Sequence, residues 1–240
     1  MSVNEIELPN YKLRHELFNS ISHGLGAIFG IVALVLMLLK VNNVYSPNET
    51  HINSFLDLVL GNISVIIYAF SIIVCMCISC IYHGLKRNKG KKVLRVLDHD
   101  MVYFLVAGTY TPYCLLTLRD VNLWGINNTN FSGYLILALV YILVTLGIVF
   151  NSINIKKYAV FSMIMYIVAG WSILLNVNEL YCYLSFNGFM LLLFGGISFT
   201  LGAILYGLGK KNSVWFHTVF HFFVLFGIIL QFTSIYLYVL

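Results

Sequence analysis

Two imidazoles four residues apart open the last apolar stretch of the chain, Trp215-Phe216-His217-Thr218-Val219-Phe220-His221. On an α-helix four positions advance about 400°, so His217 and His221 share one face a turn apart, which is metal-ligand spacing. A pair alone does not make a metal site, because imidazoles in aromatic-rich spans also hydrogen-bond neighbouring helices. A third ligand is offered by Ser79-Cys80-Ile81-Tyr82-His83. Three imidazoles plus an open position is the usual ligand count for catalytic Zn2+, whereas closed structural sites use four protein ligands, often thiolates. Cys80 is the alternative to His83, although Cys75, Cys77 and Cys80 also read as small hydrophobes filling apolar space.

Whether these residues meet depends on the elements that carry them. The chain has 240 residues, of which 60% are hydrophobic and only 10% charged, against about 25% charged in a soluble globular domain. Such a composition needs lipid as its solvent, so the class is all-α integral membrane protein. The net charge of +5 lies in short connections rather than on a basic face, which argues against a nucleic-acid partner. Continuous apolar runs exclude a transmembrane barrel, whose strands alternate over roughly ten residues. Seven runs are expected to cross the membrane, from about Ile21 to Leu39, Leu58 to Tyr82, Asp98 to Leu118, Ser132 to Asn151, Tyr158 to Leu175, Tyr181 to Leu208 and Val214 to Leu240. Residues 1–20 form a polar amino-terminal segment without the features of a cleaved signal. Residues 21–240 form one seven-helix domain.

Lys and Arg set the orientation. With the amino terminus in the cytoplasm, Lys12, Arg14, the six basic residues of Gly84 to Leu97, Lys156, Lys157, Lys210 and Lys211 lie inside. Only Lys40 and Arg119 lie outside, so the positive-inside rule predicts amino terminus in and carboxyl terminus out. The glycosylation patterns at Asn48, Asn127 and Asn130 then fall in outer loops. The basic loop suits anionic lipid, a property that the positive-inside rule already accounts for.

This topology brings His83, at the inner end of the second span, to the depth of His217 and His221 at the start of the seventh. Asp98 opens the third span there, and His23 lies near the start of the first. Ionisable groups at membrane depth are costly and face a cavity or a partner. The bland reading of Asp98 is a cap for its helix. The chemical one is a carboxylate that orients a water and shuttles its proton, with Ser79, one turn before His83, donating to a developing oxyanion. Cys114 and Cys182 fall towards the outer side, where a disulfide is geometrically conceivable. Gly26 with Gly30, and Gly195, Gly196, Ser198 and Gly202, read as small-residue faces for close helix approach. His15 and His51 sit in polar segments and receive no role.

The motifs together resemble hemolysin III. They are Asn19 with His23 and Gly26, Ser79 with Tyr82 and His83, Leu97-Asp98-His99, Ala107-Gly108-Thr109-Tyr110-Thr111-Pro112, Gly195-Gly196, Tyr206-Gly207 and His217-x-x-x-His221. The resemblance spans nearly the whole chain. It implies kinship with the adiponectin and progestin receptors and, more distantly, with alkaline ceramidases, a superfamily of seven-helix membrane proteins carrying zinc. By that resemblance His83, His217 and His221 are the ligands, and Asp98 and Ser79 are the other polar site positions. Thr218 and Phe220 depart from the family's acidic residue and Trp, while the ligand spacing is kept.

Three functional classes suit these residues. One is a zinc-dependent hydrolase of lipid amides of the ceramide type, with membrane lipid as substrate. Another is a receptor or regulator of membrane state with a structural zinc, and the third is cytolytic pore formation. The spans offer few charged groups for a continuous polar path, which places the pore last. The expected location is the plasma membrane, with an internal membrane as the alternative.

Overall fold

Seven α-helices organise the computed structural model, which describes residues 2–43, 54–122, 131–212 and 215–240, with the side chains of 43 and 209–212 left aside. They are α1 (Leu13–Asn43), α2 (Phe55–Gly84), α3 (Lys89–Pro112), α4 (Ser132–Ile153), α5 (Ala159–Trp171), α6 (Val177–Asn212) and α7 (Trp215–Tyr238). Asn48, His51, Asn127 and Asn130, and the side chains of Lys210 and Lys211, lie outside the described residues.

Five stretches among the described residues are long and apolar enough to cross a membrane, one of them the 50-residue run Ala159–Leu208 that contains α5 and most of α6. Leu25, Ile28, Phe70, Ile142, Phe222 and Phe226 are exposed on outward faces, while Asn19, His23, Ser79, Asp100 and Gln231 are buried. This apolar-out, polar-in arrangement is what a hydrocarbon surround demands. α1 packs along α2 and α7, α2 along α3, and α6 along α7.

Three boundaries differ from the sequence expectation, each for a local reason. α1 begins at Leu13 rather than near Ile21, since the charged segment ahead of the apolar run is composed largely of good helix formers. α3 begins at Lys89, within the basic stretch, because Asn88 caps it by accepting from the Lys91 backbone N–H at 2.8 Å. Asp98 therefore stands well inside α3, and the capping role is taken by Asn88. Pro112, which lacks an N–H, is followed by a π-helical turn over Tyr113–Thr117 in which Leu118 N–H reaches Tyr113 O at 2.9 Å. A further turn comes at Ser185 in α6, whose backbone stands at φ 57° and ψ 172°, a conformation rarely adopted by residues with a side chain.

Cys114 is buried and Cys182 exposed, and both are free thiols. At the end of the bundle away from the histidines the two remaining cations are matched. Arg119 meets Asp57 at 2.6 Å and Asp120 at 2.6 Å, and these carboxylates, Asp120 first, hold its guanidinium above its usual pKa. Lys40 donates to the Tyr236 carbonyl and lies 4.6 Å from its ring centroid.

Candidate metal centre

The centre is assembled from α2 and α7 and supported from α1 and α3. α2 supplies Ser79 and His83 from its last two turns, and α7 supplies His217 and His221 from its first two. Glu16, Asn19 and His23 lie at positions i, i+3 and i+7 of α1, and Lys91, Arg95 and Asp98 at i, i+4 and i+7 of α3, so each set shares one helix face.

His83 Nε2 stands 3.3 Å from His217 Nε2, and His217 Nε2 stands 3.1 Å from His221 Nε2. A ligand atom from each of the three buried residues lies within 4.8 Å of the others. Nitrogens held 2.0–2.1 Å from a tetrahedral ion stand about 3.3 Å apart, so the donor set fits a metal of zinc's size and preference. With all three Nε2 atoms unprotonated, three lone pairs converge on one buried point, as metal ligation requires.

The tautomer of His83 follows from its outer contact. Its Nδ1 lies 2.6 Å from Glu16 Oε2. An ionised carboxylate only accepts, so Nδ1 carries the hydrogen and Nε2 turns a lone pair to the centre. The other oxygen of Glu16 accepts from Lys91 Nζ at 2.6 Å, and the same ammonium donates to Leu85 O at 2.9 Å. Lys91 is only 3% exposed despite belonging to the basic run. A buried cation of this kind is tolerated when it is paired and hydrogen-bonded. Here it balances Glu16 and fixes the carboxylate that fixes the imidazole.

His23 packs its ring 3.9 Å from that of His221, centroid to centroid. Neither of its nitrogens, nor either polar atom of the Asn19 side chain, meets a hydrogen-bond partner. The Ser79 hydroxyl is within hydrogen-bonding reach of the Asp98 carboxylate. Both groups, with His23, His217 and His221, line a cavity of about 580 Å³ to which α3, α5, α6 and α7 contribute most of the remaining wall. Its walls are mainly apolar, a setting in which a few convergent polar groups fix the orientation of a ligand. Cys80 turns away, with its Sγ 3.5 Å from Ser20 Oγ.

Several participants were absent from the sequence reading. Glu16, Lys91 and Tyr11 received no site role, and His15 was assigned none. Tyr11 stacks on His217 at 5.0 Å with the planes 12° apart, and burial pushes its phenol well above the usual pKa. His15 is buried with Nδ1 3.4 Å from Thr218 Oγ1, so the residue that departs from the family pattern is occupied in joining α1 to α7. The spacing of Glu16, Asn19 and His23 was a usable signal, since it places three polar residues on the face that leads to the histidines.

A family profile described as haemolysin-III related matches residues 11–232. The chain is 31% identical over 228 residues to "Hemolysin-3" of Bacillus cereus, covering 95% of this chain and 93% of that protein. It is 32% identical over 217 residues to "Hemolysin-3 homolog" of Bacillus subtilis (strain 168), covering 90% and 91% respectively. Each match includes nearly all of the helices that build the centre.

Proposed function

The chain belongs to the haemolysin-III-related family, and from that premise we propose that it is a seven-span membrane hydrolase of lipid amides, with zinc at His83, His217 and His221. Its amino terminus faces the cytoplasm and its carboxyl terminus the outside, as the twelve-to-two split of basic residues supports. The observation that carries the catalytic reading is the position of the three imidazole nitrogens, 3.1 and 3.3 Å apart, beside a largely apolar cavity that also receives Asp98 and Ser79.

Zinc held by His83, His217 and His221 would supply Lewis acidity towards a carbonyl oxygen and would bring the pKa of a water to about 7. The chain's own residues do the rest. Asp98 accepts the proton of the attacking water and returns it to the leaving nitrogen, so that amide and water yield acid and amine. Ser79 Oγ donates to the oxygen on which negative charge develops. Glu16 holds His83 in one tautomer, and Tyr11, stacked on His217, keeps bulk water from the imidazoles.

A metal that only ties α2 to α7 is the second reading, favoured by the Glu16–Lys91 clamp, which suits a structural centre equally well. Assays of purified, zinc-loaded protein on ceramides and other lipid amides separate the two. Asp98→Asn at matched zinc content is expected to lose about 10²–10⁴-fold in turnover while keeping its metal. Absence of turnover in zinc-loaded wild type would overturn the hydrolase and leave the structural centre.

A further inference from the structure

Residues 2–12 run beneath the bundle as a strap held by cations. Arg87 donates to Leu8 O and Pro9 O, each at 3.1 Å, and Lys92 donates to Asn4 O at 2.7 Å. Arg95 donates to the backbone oxygen of Glu7, and Lys156 Nζ meets both carboxylate oxygens of Glu7, at 3.1 and 3.3 Å. Within the strap these four cations are met by neutral carbonyl oxygens and a single carboxylate. Arg95, Lys156 and Glu7 all line the cavity that leads to the histidines.

Glu7 and Lys156 side chains are each 74% exposed. Exposed ion pairs are worth little, so this carboxylate is readily displaced from Lys156. Past them the walls turn apolar, at Val102, Met163, Phe220 and Val224. A second, smaller cavity shares Val102, Phe220 and Val224 and continues to Gly170 and Trp171. At Gly170 an added Cβ would meet nothing within 4 Å. Two cations lining one cavity, Arg95 on a neutral carbonyl and Lys156 on an exposed carboxylate, followed by an apolar slot, match an amphiphile with one charged group and one acyl chain.

We propose that Arg95 and Lys156 bind the carboxylate or phosphate of a single-chain anionic lipid amide whose chain lies along the slot to Trp171, and that the Glu7 carboxylate holds Lys156 in its absence. The inference rests on the cavity being the lipid site of the proposed function, and it narrows the substrate from lipid amides in general to anionic ones. It does not depend on turnover.

The test uses a matched pair of chain-brominated probes, an N-acylglycine and the neutral N-acylethanolamine, with quenching of Trp171 fluorescence as the readout. The full chain carries Asp98→Asn so that the probe is not consumed. The acylglycine is expected to bind about tenfold tighter than the neutral probe, as two partly exposed charge contacts imply. Lys156→Gln removes roughly threefold of that preference, and Glu7→Gln strengthens acylglycine binding roughly threefold without altering the neutral probe. Trp171→Phe abolishes most of the quenching. Equal affinity for the two probes, or no gain in Glu7→Gln, overturns the anion position, and quenching that survives Trp171→Phe overturns the path of the chain. Inorganic phosphate that displaces the acylglycine at millimolar concentration assigns the position to a free anion and overturns the amphiphile. Failure on these points leaves turnover of neutral amides untouched, whereas a lack of turnover leaves the binding preference standing.

Discussion

The walls on the two sides of the histidines are built differently. On the α1–α2–α7 side and along α3, helices approach closely at glycines. A Cβ on Gly26 would stand 2.6 Å from Leu225 and 2.8 Å from Met76, one on Gly108 2.1 Å from Ser71 Oγ, and, at the end of the bundle away from the histidines, one on Gly133 of α4 2.1 Å from the Cys114 carbonyl. On the α5 side the packing is open. Gly170 has free space, and the nearest atom to a Cβ on Gly196 is the Trp171 ring at 3.8 Å. Interiors packed to crystal-like density resist deformation, so the tight wall can hold three imidazoles in register. The open wall leaves the room that the proposed function requires. The centre is thus closely packed towards α1 and α2 and open towards α5.

The largest effect that would break this division is expected from metal removal. An ion bound only by the folded chain stabilises it by about 4 kcal/mol when free metal exceeds its Kd a thousandfold. Chelation should therefore lower the thermal midpoint of the purified protein markedly and leave the His83→Ala, His217→Ala variant, already metal-free, unshifted. Equal zinc content in that variant and the wild type, measured by elemental analysis, would dismiss the centre.

Next in size is Gly133→Ala. Its Cβ would press on backbone atoms, Cys114 O at 2.1 Å and the Leu118 carbonyl carbon at 2.8 Å, rather than on the end of a flexible side chain. Overpacking of this kind costs about 1–3 kcal/mol and occasionally more. A thermal midpoint unchanged within error would show that the tight wall yields.

These two walls were unequally legible in the sequence. Uncharged runs located the helices, because each must satisfy its own backbone in lipid, and the parity of the spans placed His83 at the depth of His217 and His221. Glycine spacing pointed to close approach at Gly26 and Gly30, where the structure puts Met76, Leu225, Ile72 and Ile73 against them. Helix starts were less readable. A charged segment reads as a loop, yet α1 and α3 both begin in one, and with them come Glu16, Lys91 and Arg95. Which lysine in a basic run turns inward depends on the cap at Asn88 and on the helix rotation it imposes. The strap was illegible for another reason, since its contacts are mostly to backbone carbonyls, which carry no sequence signature.

A smaller effect is expected at the hinge between the tight wall and the metal. Glu16→Gln keeps the shape of the side chain and a carbonyl for His83 Nδ1–H but removes the charge that faces Lys91. Loss of such an outer carboxylate weakens metal binding by about 10–100-fold. Competition with a chelator of known affinity measures the change. An affinity equal to wild type would mean that α2 and α7 hold the imidazoles without help from α1.

Gly170→Ala should have the smallest effect on stability and a separate one on binding. Alanine is favoured over glycine in a helix interior by about 1 kcal/mol, and a methyl group at Gly170 meets nothing within 4 Å. The thermal midpoint should hold or rise slightly, in contrast to Gly133→Ala. The methyl nevertheless projects into the smaller cavity beside Trp171, where it takes up space that the chain of a bound amphiphile would use. Binding of long-chain probes should therefore weaken while that of short-chain ones does not, a split that simple destabilisation cannot produce. If Gly170→Ala destabilised the fold as much as Gly133→Ala, the α5 wall would be as closely packed as the other, and the contrast between the two walls would be lost.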